Sequence, residues 1–223
     1  MDEELWSMVD TYLVSLLTPP DVALDQALAF SDEAGLPPIN VAPNQGKFLM
    51  LISKMCGASR ILEIGTLGAY STIWLASSLP SDGALVSLEL DPHHADVARR
   101  NLERAGFGTR VEIRVGPAND SLRQMVDGGE DPFDFIFIDA DKEGYAEYLD
   151  LSLQLSHVGT VIIADNVVRG GQVANSAATD PRVLGVRTFL ERAAAESRLD
   201  GTAMQTVGSK GYDGFALFVV AGP

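Results

Sequence analysis

Residues 60–71 read RILEIGTLGAYS, and this stretch decides the fold. Its first five residues are largely apolar and predict a buried strand, which a glycine-containing turn joins to a helix starting at Tyr70. Glycine lets such a turn approach a ligand closely, although tight turns also use glycine for structural reasons alone. The dinucleotide-binding pattern Gly-x-Gly-x-x-Gly is absent, and an acid, Glu63, precedes the first glycine by two residues. A carboxylate at that place disfavours a pyrophosphate and favours a ligand that carries positive charge.

The rest of the chain after Gly57 alternates short β-rich runs with helical runs, which is typical of a parallel sheet covered on both faces. Seven strands are predicted, at residues 60–64, 84–90, 111–115, 133–138, 158–164, 203–207 and 215–220. Helices are predicted between them at residues 70–79, 92–105, 118–126, 142–155 and 183–197. Residues 208–214 are too few for a crossover helix, so the last two strands should form an antiparallel hairpin.

Helical spacing of apolar residues predicts three further helices before Gly57, at about residues 5–17, 22–30 and 44–56. The prediction is therefore an α/β protein with a doubly wound, mostly parallel seven-stranded sheet, a C-terminal antiparallel hairpin and preceding N-terminal helices. We expect residues 1–223 to form a single domain, in which residues 1–57 help to shape an acceptor pocket and residues 58–223 form the ligand-binding core.

The composition of the chain excludes several classes of protein. Its 223 residues include 16 Lys and Arg against 31 Asp and Glu, a formal net charge of −15, which disfavours binding to nucleic acids and anionic membranes. Cys56 is the only cysteine, so there is no disulfide framework, and its apolar neighbours predict that it is buried. Without the basic start of a signal peptide or an apolar run long enough for a membrane span, we expect a soluble cytoplasmic protein.

Two later turns extend the candidate binding site. Glu89 ends the second predicted strand, where an acid can accept hydrogen bonds from both ribose hydroxyls of a nucleoside. The alternative is a solvated acid beside Asp91, which would cap the next helix. The amides of residues 116–120, including that of Ala118, are placed to contact an adenine edge. With Glu63, this pattern favours S-adenosylmethionine, a nucleoside that carries a sulfonium and an ammonium group.

Asp139 and Asp165 directly follow the fourth and fifth predicted strands. If those strands are neighbours, their backbones lie about 4.8 Å apart, and two carboxylates that close repel each other unless one is protonated or a cation lies between them. Two carboxylates with the amide of Asn166 suit a hard cation, Mg²⁺ or Mn²⁺. The alternative is that each acid only caps a helix or makes a turn. We favour the metal site because both acids stand at adjacent strand ends.

Lys142 begins a predicted helix, where a cation opposes the helix dipole. Such local conflicts are expected at functional sites. A nearby metal and partial burial would both favour the neutral amine, which makes this lysine a candidate general base. The alternative is an exposed lysine paired with Glu143 or Glu147. Asp141 is expected to cap the helix as well as to contact any ligand.

These segments resemble the cation-dependent, S-adenosylmethionine-dependent O-methyltransferases, the group that contains the catechol and caffeoyl-CoA O-methyltransferases. The resemblance spans residues 40–220. It rests on EIGT at 63–66 with Ser71, ELDP at 89–92, GPA at 116–118, FIDADK at 137–142 with Tyr145, and ADNV at 164–167. The DADK form is closer to the caffeoyl-CoA and bacterial branch than to the animal catechol enzyme.

The resemblance implies a class I methyltransferase fold, a homodimer, and a catechol-like acceptor, a vicinal dihydroxy aromatic small molecule. It implies metal ligation by Asp139, Asp165 and Asn166, and catalysis by Lys142 as the base together with Asp139. The implied contacts to S-adenosylmethionine are Val41, Glu63, Gly65, Thr66, Ser71, Glu89, Ala118, Asp141 and Tyr148.

Two departures from the plant members concern the acceptor. Those enzymes carry an acid where Gln45 stands, and Trp-Asn where Arg169-Gly170 stands. Because that asparagine helps to hold the plant substrate, the case for caffeoyl-CoA itself is weak.

The expected reaction is metal-dependent transfer of a methyl group from S-adenosylmethionine to a hydroxyl of the acceptor. Two alternatives stay open at this point. A nucleotide-dependent oxidoreductase on a similar sheet is disfavoured by the missing third glycine and by Glu63. A non-catalytic module that only binds S-adenosylmethionine is disfavoured by the intact set of Asp139, Lys142, Asp165 and Asn166.

Overall fold

The computed structural model describes residues 3–222 and contains one mixed sheet in that range. Its strands are β1 (Arg60–Ile64), β2 (Ala84–Glu89), β3 (Val111–Val115), β4 (Phe133–Ile138), β5 (Ser156–Asp165), β6 (Leu199–Gly208) and β7 (Gly211–Val220). The spatial order is β3-β2-β1-β4-β5-β7-β6. Strands β1 to β5 run parallel, and β7 is antiparallel to both of its neighbours. The predicted seven-stranded sheet with its C-terminal hairpin is confirmed.

Helices cover both faces of the sheet. They are α1 (Glu3–Leu17), α2 (Val22–Glu33), α3 (Pro43–Met55), α4 (Tyr70–Ala76), α5 (Pro92–Arg104), α6 (Ala118–Asp127), α7 (Tyr145–Gln154) and α8 (Pro181–Ala195), with short 3₁₀ turns at Lys142–Gly144 and Gln172–Ala174. In β4, Phe135 and Phe137 belong to a core shared with α3, α4 and α5, whereas Ile136 and Ile138 belong to a core shared with α6, α7 and α8. Successive side chains of a strand point to opposite faces, which explains why such continuous apolar runs are buried on both sides.

The strand register places the predicted site residues in one row. Ile64 pairs with Leu88 of β2 and with Ile138 of β4, and Ile138 pairs with Ala164 of β5. The residues that directly follow these paired positions therefore lie side by side, in the order Glu89, Gly65, Asp139 and Asp165. Neighbouring members of this row are separated by one strand spacing, about 4.8 Å. Residues from four distant parts of the sequence thus meet at the carboxyl edge of the sheet.

The hairpin is longer than the sequence indicates. We predict strands at 203–207 and 215–220, but β6 and β7 pair over their whole length and leave only Ser209 and Lys210 as the turn. Gly208 and Gly211 flank this turn, and Gly211 has a φ of 89°, a conformation that glycine adopts easily. The glycines that suggest a loop therefore serve a tight turn.

Two local predictions are wrong. Cys56 is exposed and not buried, because α3 ends at Met55 and Cys56 lies in the turn that follows. The helix predicted at 142–155 is divided, since a 3₁₀ turn at Lys142–Gly144 precedes α7. Within residues 3–222, no helix is both long and apolar enough to cross a membrane.

Candidate active site

A cavity of about 790 Å³ opens along the carboxyl edge of the parallel strands. The segments that follow β1, β2, β3, β4 and β5 all contribute to its wall, together with residues 39–41 before α3. Four strand spacings separate β3 from β5, so the wall extends for about 19 Å. Ligands of open α/β sheets bind at this edge, which makes the cavity the candidate active site.

The turn between β1 and α4 forms the middle of the wall, where Gly65, Thr66 and Ser71 line the cavity. Gly65 has a φ of 104°, and a Cβ at this position would lie 2.1 Å from the carbonyl oxygen of Asp139. Only glycine therefore lets the β1 turn pack against the end of β4. Leu67 and Ala69 also have positive φ values, 51° and 66°, which are uncommon for residues other than glycine. Such strain in a turn is typical of ligand-binding sites.

Glu63 lies beneath this wall and is fully buried. Its carboxylate accepts hydrogen bonds from the hydroxyls of Ser71 (2.7 Å), Thr72 (2.5 Å) and Ser87 (2.6 Å). Burial raises the pKa of Glu63 to about 7, although the three hydroxyl groups act in the opposite direction. Ser71 lines the cavity, whereas Glu63 does not. The Glu63 carboxylate therefore stabilises the cavity wall through its hydrogen bond with Ser71. Direct contact between Glu63 and a ligand stays a prediction.

Glu89 lines the cavity at the end of β2. One carboxylate oxygen accepts hydrogen bonds from the backbone amides of Leu67 (2.7 Å) and Thr66 (3.3 Å), and the other accepts from Asp91 (2.9 Å). The Nδ1 atom of His94 lies 3.5 Å from this second oxygen, and His94 also lines the cavity. Glu89 therefore joins the β1 turn to the β2 turn at the cavity wall.

Asp141, in the turn after β4, lines the cavity. Its carboxylate also caps the following 3₁₀ turn by accepting a hydrogen bond from the amide of Gly144 (3.0 Å). The hydroxyl of Tyr148 donates to Asp141 at 2.5 Å, and burial raises the pKa of this phenol above its ordinary value. A Cβ on Gly144 would lie 2.5 Å from the Tyr148 ring, so glycine at 144 makes room for that ring. The predicted capping role of Asp141 is confirmed.

Lys142 is buried and does not pair with Glu143 or Glu147. Its Nζ atom donates to Asp139 (2.9 Å) and lies 2.6 Å from the hydroxyl oxygen of Tyr145. That hydroxyl has one proton, and its two other neighbours are backbone carbonyl oxygens, which can only accept. The lysine must therefore be the donor to Tyr145. Two of its three bonding positions are fixed in this way, and the third is left for a ligand in the cavity that Lys142 lines.

Asp165 is 6% exposed, and each of its carboxylate oxygens has a donor. The Nε2 atom of Gln45 lies 2.7 Å from one oxygen, and the backbone amide of Asn166 lies 2.8 Å from the other. Burial, and then the neighbouring charge of Asp139, raise the pKa of Asp165 to about 7. Asp139 and Asp165 directly follow the paired residues Ile138 and Ala164, so the two acids stand at adjacent strand ends as predicted. The described residues 3–222 contain no group of three or more His, Cys, Asp or Glu that could hold a metal.

A second, smaller cavity of about 290 Å³ has Asp165 in its wall. Asn166, whose φ is 56°, lines both cavities. The rings of Phe48 and Phe215, with centroids 5.0 Å apart, form part of the smaller cavity's wall. Residues from α1, α3 and the β6–β7 hairpin complete the wall of this smaller cavity.

The structure brings most of the predicted residues to the larger cavity: Val41, Gly65, Thr66, Ser71, Glu89, Ala118, Asp139, Asp141, Lys142, Tyr148 and Asn166 line it. Glu63 lies behind its wall, and Asp165 lines the smaller cavity. The sequence motifs give no indication of the positions of His94 beside Glu89 and of Gln45 beside Asp165. No local pattern connects Gln45 to Asp165, since 120 residues separate them.

Comparison with known proteins shows the family to which the chain belongs. The family model for O-methyltransferases matches residues 21–217. A catechol O-methyltransferase from Niastella koreensis is 50% identical over 220 residues, which cover 99% of this chain and all of that protein. Two solved structures each have a TM-score of 0.96. An O-methyltransferase from Bacillus cereus in complex with SAH is 54% identical and covers 97% of this chain and 99% of its own. The O-methyltransferase TomG from Streptomyces achromogenes in complex with SAM, involved in tomaymycin synthesis, is 45% identical and covers both chains completely.

The fold and the site thus define a class I, S-adenosylmethionine-dependent methyltransferase. The chain belongs to the O-methyltransferase family, as the match over residues 21–217 shows. The expected enzyme class is confirmed, and the alternatives of an oxidoreductase and a non-catalytic module are set aside.

Proposed function

We propose that the enzyme transfers a methyl group from S-adenosylmethionine to a hydroxyl of a catechol-like acceptor, with the help of a divalent cation. The observation that carries this proposal is the position of Lys142. Its amine is fixed by Asp139 and Tyr145 at the cavity wall, one strand away from Asp165. A base, two acids and a donor cavity are therefore within reach of one small molecule.

The methyl donor would lie along the β1–β4 part of the larger cavity. Glu89 would accept hydrogen bonds from the ribose hydroxyls. These would replace the hydrogen bonds that its carboxylate now accepts from the amides of Thr66 and Leu67. Ala118 would face the adenine, while Gly65, Ser71 and Val41 would hold the amino-acid end. Asp141, kept in place by Tyr148, offers a carboxylate to the ammonium or sulfonium charge.

Asp139, Asp165 and Asn166 fit a divalent cation. All three offer oxygen atoms, the ligands that Mg²⁺ and Mn²⁺ prefer, and two acids at the ends of neighbouring strands would be stabilised by a positive charge between them. Gln45 and the amide of Asn166 already fix the orientation of the Asp165 carboxylate. A bound cation would lower the pKa of the acceptor hydroxyl and orient the vicinal hydroxyl beside it.

Proton removal and methyl transfer would follow in one site. Lys142 would act as the base that takes the proton of the acceptor hydroxyl, and the resulting oxyanion would attack the methyl carbon in line. The carbon–sulfur bond breaks, its electron pair stays on sulfur, and S-adenosylhomocysteine and a methyl ether are formed. Lys142 then releases the proton to solvent. Because opposite charges disappear in this step, the site acts mainly by aligning the partners and excluding water.

The acceptor itself would occupy the β5 end of the site. The name of the relative from Niastella koreensis supports a catechol-like acceptor. The aromatic walls of the smaller cavity, Phe48 and Phe215, provide a surface for a ring next to Asp165 and Asn166. Asp10 of α1 and Asn44 and Gln45 of α3 also line this cavity, which supports a role of the N-terminal helices in shaping the acceptor pocket.

A catechol assay with and without a chelator tests the proposal. We expect methyl transfer to catechol in the presence of Mg²⁺, loss of turnover with excess EDTA, and recovery when Mg²⁺ is restored. Lys142→Ala should lower kcat by about 100-fold or more while the Kd for S-adenosylhomocysteine stays within about twofold, since general base catalysis typically contributes 10²–10⁴-fold. Full turnover after removal of all metal would refute the metal role, and an unchanged kcat would refute the role of Lys142.

We also propose that the enzyme is a homodimer, as the resemblance to its family implies. The outer face of α1 is rich in exposed apolar side chains, among them Met8 (61%), Tyr12 (64%) and Leu16 (62%). Exposed apolar patches of this kind are typical of interaction surfaces. Light scattering after size exclusion should give twice the chain mass of 23.8 kDa, and Tyr12→Glu should shift the protein toward the monomer.

A further inference from the structure

We propose that Arg169 recognises a carboxylate on the acceptor, so that the preferred substrates are dihydroxy aromatic acids. This inference rests on the proposed function, because it assigns the chemistry of one end of that acceptor. Arg169 lies four residues after Asp165 and lines the larger cavity together with Lys142 and Asn166.

The partly buried side chain of Arg169 lacks the hydrogen-bond acceptors that such an arginine normally has. Its Nε atom is buried, and within residues 3–222 no hydrogen-bond partner contacts it. Its one ion pair, to Asp213, is long, with 3.9 Å between Nη1 and Oδ2. The other oxygen of Asp213 accepts hydrogen bonds from the backbone amides of Val168, Arg169 and Gly214, so this acid is engaged mainly in holding the loop. A buried donor without an acceptor costs about 1–3 kcal/mol, and a ligand with two acceptor oxygens removes that cost.

The charges around the cavity leave Arg169 available for an anion. Three cations line the β4–β5 end, Lys142, Arg169 and Arg182. Lys142 is paired with Asp139, and Arg182 makes two hydrogen bonds to Asp180 at 2.8 and 3.1 Å. Among the described residues 3–222, no acid makes a comparable side-chain hydrogen bond to Arg169. The planar fork of a guanidinium matches a carboxylate in a bidentate geometry.

The position of Arg169 separates an acceptor anion from the carboxylate of the methyl donor. The proposed contacts to the amino-acid end of the donor, Gly65 and Ser71, follow β1, whereas Arg169 follows β5. Two strand spacings, about 10 Å, lie between these strands. The backbone of Arg169 has a φ of 54°, a strained conformation for arginine, and the amide of the residue is held by Asp213. Strain of this kind clusters at ligand sites.

Matched substrates test the proposal. We would measure kcat/KM for 3,4-dihydroxybenzoate, its methyl ester and catechol with Mg²⁺, in the wild type, Arg169→Met, Arg169→Lys and Arg182→Met. The wild type should prefer the acid to its ester, and Arg169→Met should reduce this ratio by about tenfold or more, the range of hydrogen bonds to charged groups. Arg169→Lys should give an intermediate ratio, because it keeps the charge without the fork. Arg182→Met, with the same change of charge, should keep the wild-type ratio.

A binding measurement keeps this test separate from the proposed reaction. Isothermal titration of the acid and of the ester into the enzyme with S-adenosylhomocysteine should show the same preference and the same dependence on Arg169. If the wild type methylates no dihydroxybenzene but binds the acid through Arg169, the proposed function is wrong and the anion site stands. If the wild type shows no preference for the acid, or if Arg169→Met and Arg169→Lys, both folded by thermal denaturation, keep the wild-type ratio, the anion site is refuted. A ratio that changes in Arg182→Met instead would also refute it.

Discussion

Alanine at position 65 should damage the enzyme in two ways that the structure separates. Gly65 has a φ of 104°, and an added Cβ would lie 2.1 Å from the Asp139 carbonyl oxygen and 2.8 Å from its carbon. Gly116, in the corresponding turn after β3, has a φ of 137° but open space around the position of a Cβ. Gly65→Ala therefore carries both backbone strain and a clash with the neighbouring strand, whereas Gly116→Ala carries backbone strain alone.

The two costs can be estimated. A residue held in an unfavourable backbone region costs roughly 1–3 kcal/mol, and overpacking against a rigid neighbour adds about 1–3 kcal/mol. Gly65→Ala should thus lower the free energy of unfolding by about 2–6 kcal/mol, and Gly116→Ala by about 1–3 kcal/mol. Against a total stability of about 5–15 kcal/mol, the first loss is large.

Urea denaturation followed by circular dichroism measures both variants against the wild type. With a slope of about 2–3 kcal/mol per molar urea, a loss of 4 kcal/mol would move the midpoint by about 1–2 M. The clash also displaces the backbone of Asp139, so kcat for catechol should fall further in Gly65→Ala than in Gly116→Ala. Equal midpoints for the two alanine variants would refute the argument that close approach of β1 and β4 requires glycine.

Three further predictions concern single side chains. Asp165→Asn should weaken Mg²⁺ binding in isothermal titration by at least about tenfold, because one of two carboxylates is lost; unchanged affinity would contradict its role as a ligand. Tyr145→Phe removes an acceptor of the Lys142 amine and should lower kcat about tenfold with little change in the Kd for S-adenosylhomocysteine; an unchanged kcat would contradict the positioning role. A hydrogen bond to the Val158 carbonyl and the contact with Asp134 raise the pKa of His157. His157→Gln should therefore lose up to about 1 kcal/mol of stability at pH 6 and nothing at pH 9. A loss of stability that does not depend on pH would contradict this prediction.

The sign of the last prediction follows from the folded-state pKa. A group whose pKa is raised by folding stabilises the protein fully below its unfolded value, near 6.5, and loses this contribution as the pH rises through the folded value.

Partial burial alone would raise the pKa of Asp134, but hydrogen bonds from Arg60, His157 and Ser59 outweigh it and lower the pKa to about 2. The Asp134 contribution is therefore present above about pH 4 and is lost only between about pH 4 and pH 2.

The sequence predicts the sheet and its row of strand-end residues well, because both depend on regular patterns. Apolar runs that alternate with helical runs indicate the parallel strands, and the carboxyl ends of neighbouring parallel strands must lie together. The sequence alone therefore predicts that Asp139 and Asp165 lie side by side. The register of β1, β4 and β5 bears this out.

Other features depend on tertiary contacts that leave no local pattern. The hydrogen bond of Gln45 to Asp165 joins α3 to β5, and nothing near either residue in the sequence indicates it. The burial of Glu63 below the wall depends on hydroxyls from α4 and β2. Cys56 has apolar neighbours in sequence, but the end of α3 places it at the surface.

Because β7 lies next to β5, the tip of the β6–β7 hairpin borders the smaller cavity. In the proposed reaction, the methyl donor would depend on the turns after β1 to β4, and the acceptor would contact residues after β5 and Lys210 at the hairpin tip. Natural variation or directed evolution in these latter segments can retarget the enzyme to new phenols without rebuilding its nucleoside pocket. Libraries confined to residues 169–180 and 209–210 are therefore a rational route to altered regiochemistry.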